Sequence, residues 1–469
     1  MWLAPGTPGR PPICKMMTEH ARQLEPGERR AHGRGLRKTC GRVEQARWKP
    51  PADRQDPVAL VVAANRGRVP QLLPIKCQRM VESAFGFFRG AAPVMARDLA
   101  SQPRCGLTVQ ICGDAHVLNL GSFSAPDGRL IFDINDFDET VRGPFEWDVK
   151  RLATSLVLAG REASESDKRC KEAVRVFVRA YREAMFGFSR MTVLDLARYR
   201  VHRHPHFAPL QSVLRKAERA TPRHNLERLT VAAGGARRFK SQPPLLTRVD
   251  KRTASRVLGA LKSYRQTLTP DRQHFFDQYH ALDVAFKVVG MGSVGLRDYV
   301  VLLLGNGRLD ALFLQVKEEP PSCYARYLPD PRPVEHEGRR VVEGQRAMQA
   351  QSDFLLGWTT IEGRDYQVRQ LSDHKASIEV EELAGEGLLQ YALVCGEVLA
   401  KGHARSGDPC ALAGYLGSST KFDTAIAAFA LAYADQVASD HRAFVAAVSS
   451  GKIKAAGKPH PGRRRVPQR

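Results

Sequence analysis

The stretch Cys112-Gly113-Asp114-Ala115-His116-Val117-Leu118-Asn119 sets an aspartate five residues ahead of an asparagine. That spacing suits phosphoryl transfer, in which a carboxylate takes the proton of an attacking hydroxyl and an amide oxygen helps to hold Mg²⁺. Next comes an apolar–turn–apolar stretch around Ala125-Pro126-Asp127-Gly128, which reads as a β-hairpin. Asp133, Asp136 and Asp138 follow it. Hard oxygen ligands at a strand end are what Mg²⁺ bound to a nucleotide polyphosphate requires. The chemistry expected is therefore phoshoryl transfer using ATP and Mg²⁺. Asp114 is the candidate base and His116 the residue that orients its loop. Asn119, Asp133, Asp136 and Asp138 are the candidate metal ligands.

Such chemistry also needs a phosphate clamp. Gly290-x-Gly292-x-x-Gly295 is a weak signal alone, because the same string serves dinucleotide folds. A dinucleotide fingerprint must open a helix. Here the glycines precede Tyr299-Val300-Val301-Leu302-Leu303-Leu304, a strand former, so a strand–glycine loop–strand over ATP phosphates fits better. A plain structural turn is the bland alternative. Lys317 ends the apolar run Leu314-Gln315-Val316 and is expected to hold the α- and β-phosphates. Glu343, on a helical stretch at 340–352, is the candidate to brace it; Glu318 and Glu319 compete, and an exposed edge-strand lysine is the alternative.

Other polar residues admit two readings. Asp148 either hydrogen-bonds the backbone of the Asp114 loop or forms a salt bridge with Lys150 or Arg151. His202, His204 and His206 invite a metal, but Pro205 interrupts them and no second ligand cluster is evident, so an exposed loop is preferred. His403, beside Arg405 and Asp408, reads as a helix cap and not as a catalyst.

The elements that would position these groups fall into blocks. Residues 1–56 are rich in Pro, Gly and Arg without periodicity and read as a disordered basic tail, with order beginning near Val58. A helical block with the Asp114 loop is expected over 57–280, a β-rich block over 281–375, further helices over 376–450, and a second disordered basic tail over 451–469. Within them, a helix is expected from Phe145 to about Arg161, others over roughly 384–404 and 423–448, and a β-meander from Phe286.

The formal charge of +23 is concentrated at the ends, which together supply 13 of those charges. Weak polyanion binding by the tails is the partner this composition suggests. The longest apolar run, Ala425 to Ala434, is too short to span a bilayer, and the N-terminal stretch lacks an apolar core with a cleavage site. Nine cysteines without a C-x-x-C pair read as reduced thiols, and the cytoplasm is the expected compartment.

Several of these strings are specific. Phe87-Phe88-Arg89-Gly90, Cys112 to His116, Asp133 to Glu139, Leu314 to Glu318, Val341 to Arg346 and His403 to Asp408 resemble a bacterial family of uncharacterised proteins, domain of unknown function 2252, from about residue 60 to 448. Gly113-Asp114-x-His116-x-x-Asn119 is similar to a loop of aminoglycoside phosphotransferases and other kinase-like enzymes. That resemblance implies an α+β, two-lobed protein-kinase-like fold, with Asp114 as base, Asn119 on the metal, and the Asp136-Phe137 dipeptide as metal-binding; Asp133 fits the usual spacing as well. Cys112 stands where that loop commonly has histidine. The order differs from kinase-like chains, since the catalytic loop comes before the glycine loop and the lysine, and a circular permutation would account for this. The implied function is an ATP- and Mg²⁺-dependent phosphotransferase acting on an unidentified hydroxyl acceptor. A nucleotide-binding pseudokinase or scaffold without turnover is the alternative.

Overall fold

Tyr299–Leu304 is apolar at every position because the strand Asp298–Leu304 is covered on both faces. Side chains alternate across a strand. Val301 and Leu303 join Leu314, Val316 and Val368 beneath Val257, Leu261 and Tyr264 of the helix Lys251–Gln266. Val300 and Leu302 join Ala285 and Phe313 on the opposite face, against Leu226, Leu229 and Phe239. Each such buried aliphatic contributes about 1.5–3 kcal/mol.

This strand sits inside a six-stranded antiparallel sheet. Its order is Gly357–Ile361, Arg364–Gln370, Ala311–Glu318, Asp298–Leu304, His280–Lys287 and Leu246–Arg248. The computed structural model describes residues 24–125, 127–201, 208–219, 222–233, 236–288, 290–307, 309–328, 334–371 and 376–455. His202, His204 and His206 lie outside the described residues, as do residues 1–23 and 456–469 of the two expected tails.

The rest of the protein is mainly helical, giving a mixed α+β fold with antiparallel sheets. The helix Phe145–Glu162 is its axis, buried at every position from Phe145 to Gly160. Around it pack Asp167–Phe188, Glu386–Ser406 and Lys421–Ser449, close to the bounds the apolar spacing predicts. Because the axis is buried on all sides, its charged residues Asp148, Lys150 and Arg151 must each find a partner inside.

Order begins earlier than composition suggests. By residue 24 the chain is already described, and Pro26–Gly35 is a helix lying on the helix Pro409–Leu416. A Cβ at Gly33 would fall 1.9 Å from the Ala411 carbonyl oxygen, so only glycine allows this approach. Arg37 Nε donates to the Tyr415 carbonyl at 2.9 Å, and Arg54 binds both Asp98 and Asp440. The segment docks through guanidinium groups on carbonyls and carboxylates. It therefore lacks the apolar periodicity by which ordered helices are recognised, and the expected disorder over 1–56 is corrected for residues 24–56.

Among the described residues no helix is long and apolar enough to cross a membrane. The eight cysteines among them are unpaired, and seven are buried.

Candidate active site

Thr108–Ile111 pairs with Val141–Pro144, and the chain between them carries the Asp114 loop, an antiparallel hairpin (Leu120–Ser124 with Leu130–Ile134) and the acidic loop. Gly113 has φ +80°, and a Cβ there would come 2.3 Å from the Glu139 carbonyl oxygen, so a glycine is required where the two loops cross. From the axial helix, Asp148 accepts hydrogen bonds from the backbone N–H of Cys112 (2.8 Å) and of Gly113 (3.0 Å). Of its two readings, the loop-holding one is realised: Lys150 lies over the Phe429 ring at 4.6 Å, and Arg151 goes to Asp114. His403 is not a helix cap. It is fully buried, with Nδ1 2.9 Å from the Tyr181 hydroxyl and Nε2 3.3 Å from Asp148 Oδ2.

Asp114 Oδ1 accepts from Arg151 Nε at 2.8 Å and from Nη2 at 2.5 Å. Burial opposes the Arg151 charge, but the Asp114 carboxylate holds its guanidinium pKa well above the usual value. His116 Nε2 stands 3.9 Å from Asp114 Oδ2. Burial drives the imidazole down to about 4 despite that carboxylate, so His116 is neutral near pH 7 and presents an uncharged ring beside Asp114. Asn119 Nδ2 donates to the carbonyl oxygens of Asp114 (3.0 Å) and Asp136 (3.1 Å), which ties the two loops together.

The acidic residues divide. Asp138 accepts from Lys317 Nζ and, at 2.9 Å, from the Ser293 hydroxyl, while Asp136 Oδ1 lies 3.5 Å from Lys317 Nζ. Burial opposes the charge on Lys317, yet the two carboxylates hold its pKa well above the ordinary value. Burial together with Asp136 pushes the Asp138 carboxyl up, against the pull of Lys317. Asp133 does not join them. It is 2% exposed, accepts from the buried Lys401 and lines neither cavity described below, so its candidacy as a metal ligand is corrected.

The brace for Lys317 is also corrected. Glu343 has a 56% exposed side chain and pairs with Arg339, one helical turn away. Glu318 pairs with Arg297 and Arg364. Lys317 is instead countered by the acidic loop, with Glu319 buried nearby and neither of its carboxylate oxygens hydrogen-bonded; burial pushes the Glu319 carboxyl well up.

The glycine loop joins the antiparallel strands His280–Lys287 and Asp298–Leu304, so it is a hairpin connection and not a helix start. Gly290 (φ +69°) and Gly295 (φ +92°) take left-handed conformations. Arg68 Nη1 donates to the carbonyls of Gly292 and Val294, each at 2.7 Å, and Arg79 Nη1 to that of Gly290 at 2.6 Å. Gly292 lies against Asp114: a Cβ there would sit 4.0 Å from its Oδ2.

Two cavities meet at these groups. One, of about 360 Å³, is lined by Lys317, Lys287, Arg369, Gln315 and Gln349 among others. The other, of about 530 Å³, is lined by Asp114, His116, Asn119 and Asp138 among others. Asn135, Asp136, Gly290 and Ser293 border both. Among the described residues no cluster of three His, Cys, Asp or Glu side chains is built to hold a metal alone. Mg²⁺ does not ask for one, since it binds through one or two carboxylates plus substrate phosphates. Asp136, with a 40% exposed side chain, fits as such a ligand, with Asn119 and Asp138 beside it.

Residues 68–447 match the model of a family described as an uncharacterized protein conserved in bacteria (DUF2252). The chain belongs to this family. No curated protein and no solved structure matches it. The DUF2252 match spans the Asp114 loop, the acidic loop, the glycine loop and Lys317, whereas the docked helix Pro26–Gly35 and Arg54 precede it.

The sequence offered Arg151 only as a partner for Asp148, not for Asp114, and did not point to Arg68, Arg79, Ser293 or Lys401. Only Arg151 carried a usable signal. It lies three residues after Asp148 on a helix apolar on nearly every side, where a charge needs an internal partner.

Proposed function

We propose that this protein is an ATP- and Mg²⁺-dependent phosphotransferase of kinase-like, circularly permuted architecture, acting on a hydroxyl acceptor. The observation that carries the proposal is the meeting of two distant motifs at one point: Lys317 and Ser293 of the β-rich part contact Asp138, whose loop is tied to the Asp114 loop through Asn119. In support of the permutation, the helix Glu386–Ser406 ends beside the strand leading to the Asp114 loop. Gln110 N–H donates to the Ser406 hydroxyl at 3.1 Å across 296 positions of sequence. In an unpermuted kinase-like chain those two elements would be consecutive.

Each group then has a task. Lys317 and the glycine loop hold the nucleotide phosphates at the first cavity. Asp136, with Asn119 and Asp138, would hold Mg²⁺, which when bound neutralises charge on the phosphates. Asp114 Oδ1 is fixed by Arg151, leaving Oδ2 to orient the acceptor hydroxyl and take its proton. Neutral His116 adds no positive charge that would compete for that carboxylate. Arg68 and Arg79 hold the glycine loop beside Asp114 through its backbone carbonyls.

Titration calorimetry of ATP with and without Mg²⁺ tests this reading. Binding should strengthen with Mg²⁺ in the wild type, and Asp136→Ala should remove most of that gain. Equal ATP affinity with and without Mg²⁺ would overturn the proposal.

A further inference from the structure

Lys76 and Arg89 line the Asp114 cavity largely away from solvent, whereas Arg66 and Arg326 line it as exposed side chains. Lys76 is 1% exposed, and its Nζ donates only to the neutral Asn65 Oδ1, at 2.9 Å. Arg89 holds its guanidinium 5.7 Å from the Phe85 ring centroid, and its Nε is buried without a hydrogen-bond partner. Among the described residues, neither Lys76 nor Arg89 lies within 4.0 Å of a carboxylate oxygen.

Other charges at this cavity are already engaged. Arg68 is spent on glycine-loop carbonyls, Asp114 is held by Arg151, and Glu139 Oε2 accepts from the Cys323 N–H at 2.7 Å. Burial lowers the pKa of the Lys76 ammonium well below its ordinary value and depresses that of the Arg89 guanidinium too. A buried cation without a counter-charge is costly to fold, and an anionic ligand removes that cost.

We propose that Lys76 and Arg89 seat a phosphate group carried by the acceptor, so that the substrate is a small phosphorylated alcohol whose hydroxyl reaches Asp114. A dianion answers two cations lining one cavity better than a single carboxylate does. Cationic side chains make strong, charge-assisted hydrogen bonds to phosphate oxygens. The cavity, about 530 Å³, is of a size that encloses a small molecule. The hydroxyl part of this assignment rests on the phosphotransfer reading; the phosphate seat does not. In the transfer itself, the acceptor oxygen bonds to the γ-phosphorus and the bond from that phosphorus to the β,γ-bridging oxygen breaks. ADP leaves, and the hydroxyl proton passes to Asp114.

The test is calorimetry on the full chain without nucleotide or Mg²⁺, using inorganic phosphate and glycerol 3-phosphate against acetate and glycerol. Phosphate and its ester should bind in the millimolar range or tighter, with acetate weaker and glycerol silent. Lys76→Met and Arg89→Gln should each weaken phosphate binding by roughly tenfold or more, whereas Lys317→Met should leave it nearly unchanged. Lys76→Met exchanges an uncompensated cation for an apolar chain, so its melting temperature should hold or rise; Arg89→Gln provides a second, independent variant. Absence of phosphate binding, binding indifferent to Lys76 and Arg89, or binding lost in Lys317→Met instead would each overturn the seat. If phosphate binds at the cluster while ATP with Mg²⁺ binds nowhere, the seat stands and the phosphotransfer reading fails.

Discussion

Lys317 Nζ lies 2.5 Å from Asp138 Oδ1, although 179 positions of sequence separate the two residues. A lysine on an antiparallel strand and an aspartate on a loop between two short sheets thus share one buried ion pair. Breaking it should be felt in nucleotide binding first. Lys317→Met is expected to weaken ATP binding by about 1.5–3 kcal/mol, the usual worth of a hydrogen bond to a charged group. Calorimetry checks this, and unchanged affinity would place the phosphates elsewhere.

Gly292 offers a steric test at the same site. A Cβ there would meet only the Arg89 carbonyl oxygen at 3.6 Å and Asp114 Oδ2 at 4.0 Å, both ordinary contacts. Gly292→Ala should therefore fold with a melting temperature near that of the wild type, while Gly292→Val, reaching further toward Asp114, should abolish turnover. Full activity in the valine variant would show that the reacting groups do not meet beneath this loop.

The N-terminal segment is expected to be structural. Arg54 donates to Asp98 at 2.9 and 2.7 Å and to Asp440 at 2.9 and 2.6 Å, and both aspartates are buried. A chain starting at residue 57 leaves those carboxylates without their cation, and the loss should be about 3–5 kcal/mol. Arg54→Met isolates this contribution from that of the docked helix. Melting curves that match the wild type for both variants would contradict the assignment.

How far the sequence revealed all this depended on the kind of signal. The helices Phe145–Glu162 and Lys421–Ser449 and the strands around Leu302 were legible because their apolar spacing reports burial directly. Asp114, Asn119, Asp136 and Lys317 stood out by residue type and short spacing, and they line two cavities that share Asp136. Asp133 and Asp136 could not be told apart, since the choice depends on Lys401, 268 positions away, which claims Asp133. Glu343 was misjudged for a related reason: its helix turns it toward Arg339, an orientation no spacing from Lys317 encodes. The docking of residues 24–56 was hidden because arginines on backbone carbonyls leave no periodic trace.

Asp298 predicts a pH dependence of stability. It is 3% exposed, Oδ1 has no hydrogen-bond partner, and Gln315 Nε2 donates to Oδ2 at 2.6 Å. Burial pushes its carboxyl up to about 6, against the opposing pull of Lys287 and Lys317. The folded chain therefore keeps a proton that the unfolded chain releases near pH 4. Stability from this group is full below that pH and is lost as pH rises through about 6. Asp298→Asn stays neutral throughout, so its stability relative to the wild type should rise by about 3 kcal/mol between pH 4 and 7. Urea unfolding at several pH values checks this; parallel curves for the two proteins would contradict it.

The central claim is most directly tested by transfer of the labelled γ-phosphoryl group of ATP, with Mg²⁺ present and glycerol 3-phosphate and water as acceptors. Wild-type protein should release or transfer label, and Asp114→Asn should keep ATP binding while losing turnover by roughly 10²–10⁴-fold, the usual worth of a positioned general base. A wild type that transfers label to no acceptor, to water or to itself, with Asp114→Asn indistinguishable from it, would contradict the account and leave a protein that binds nucleotide without turning it over.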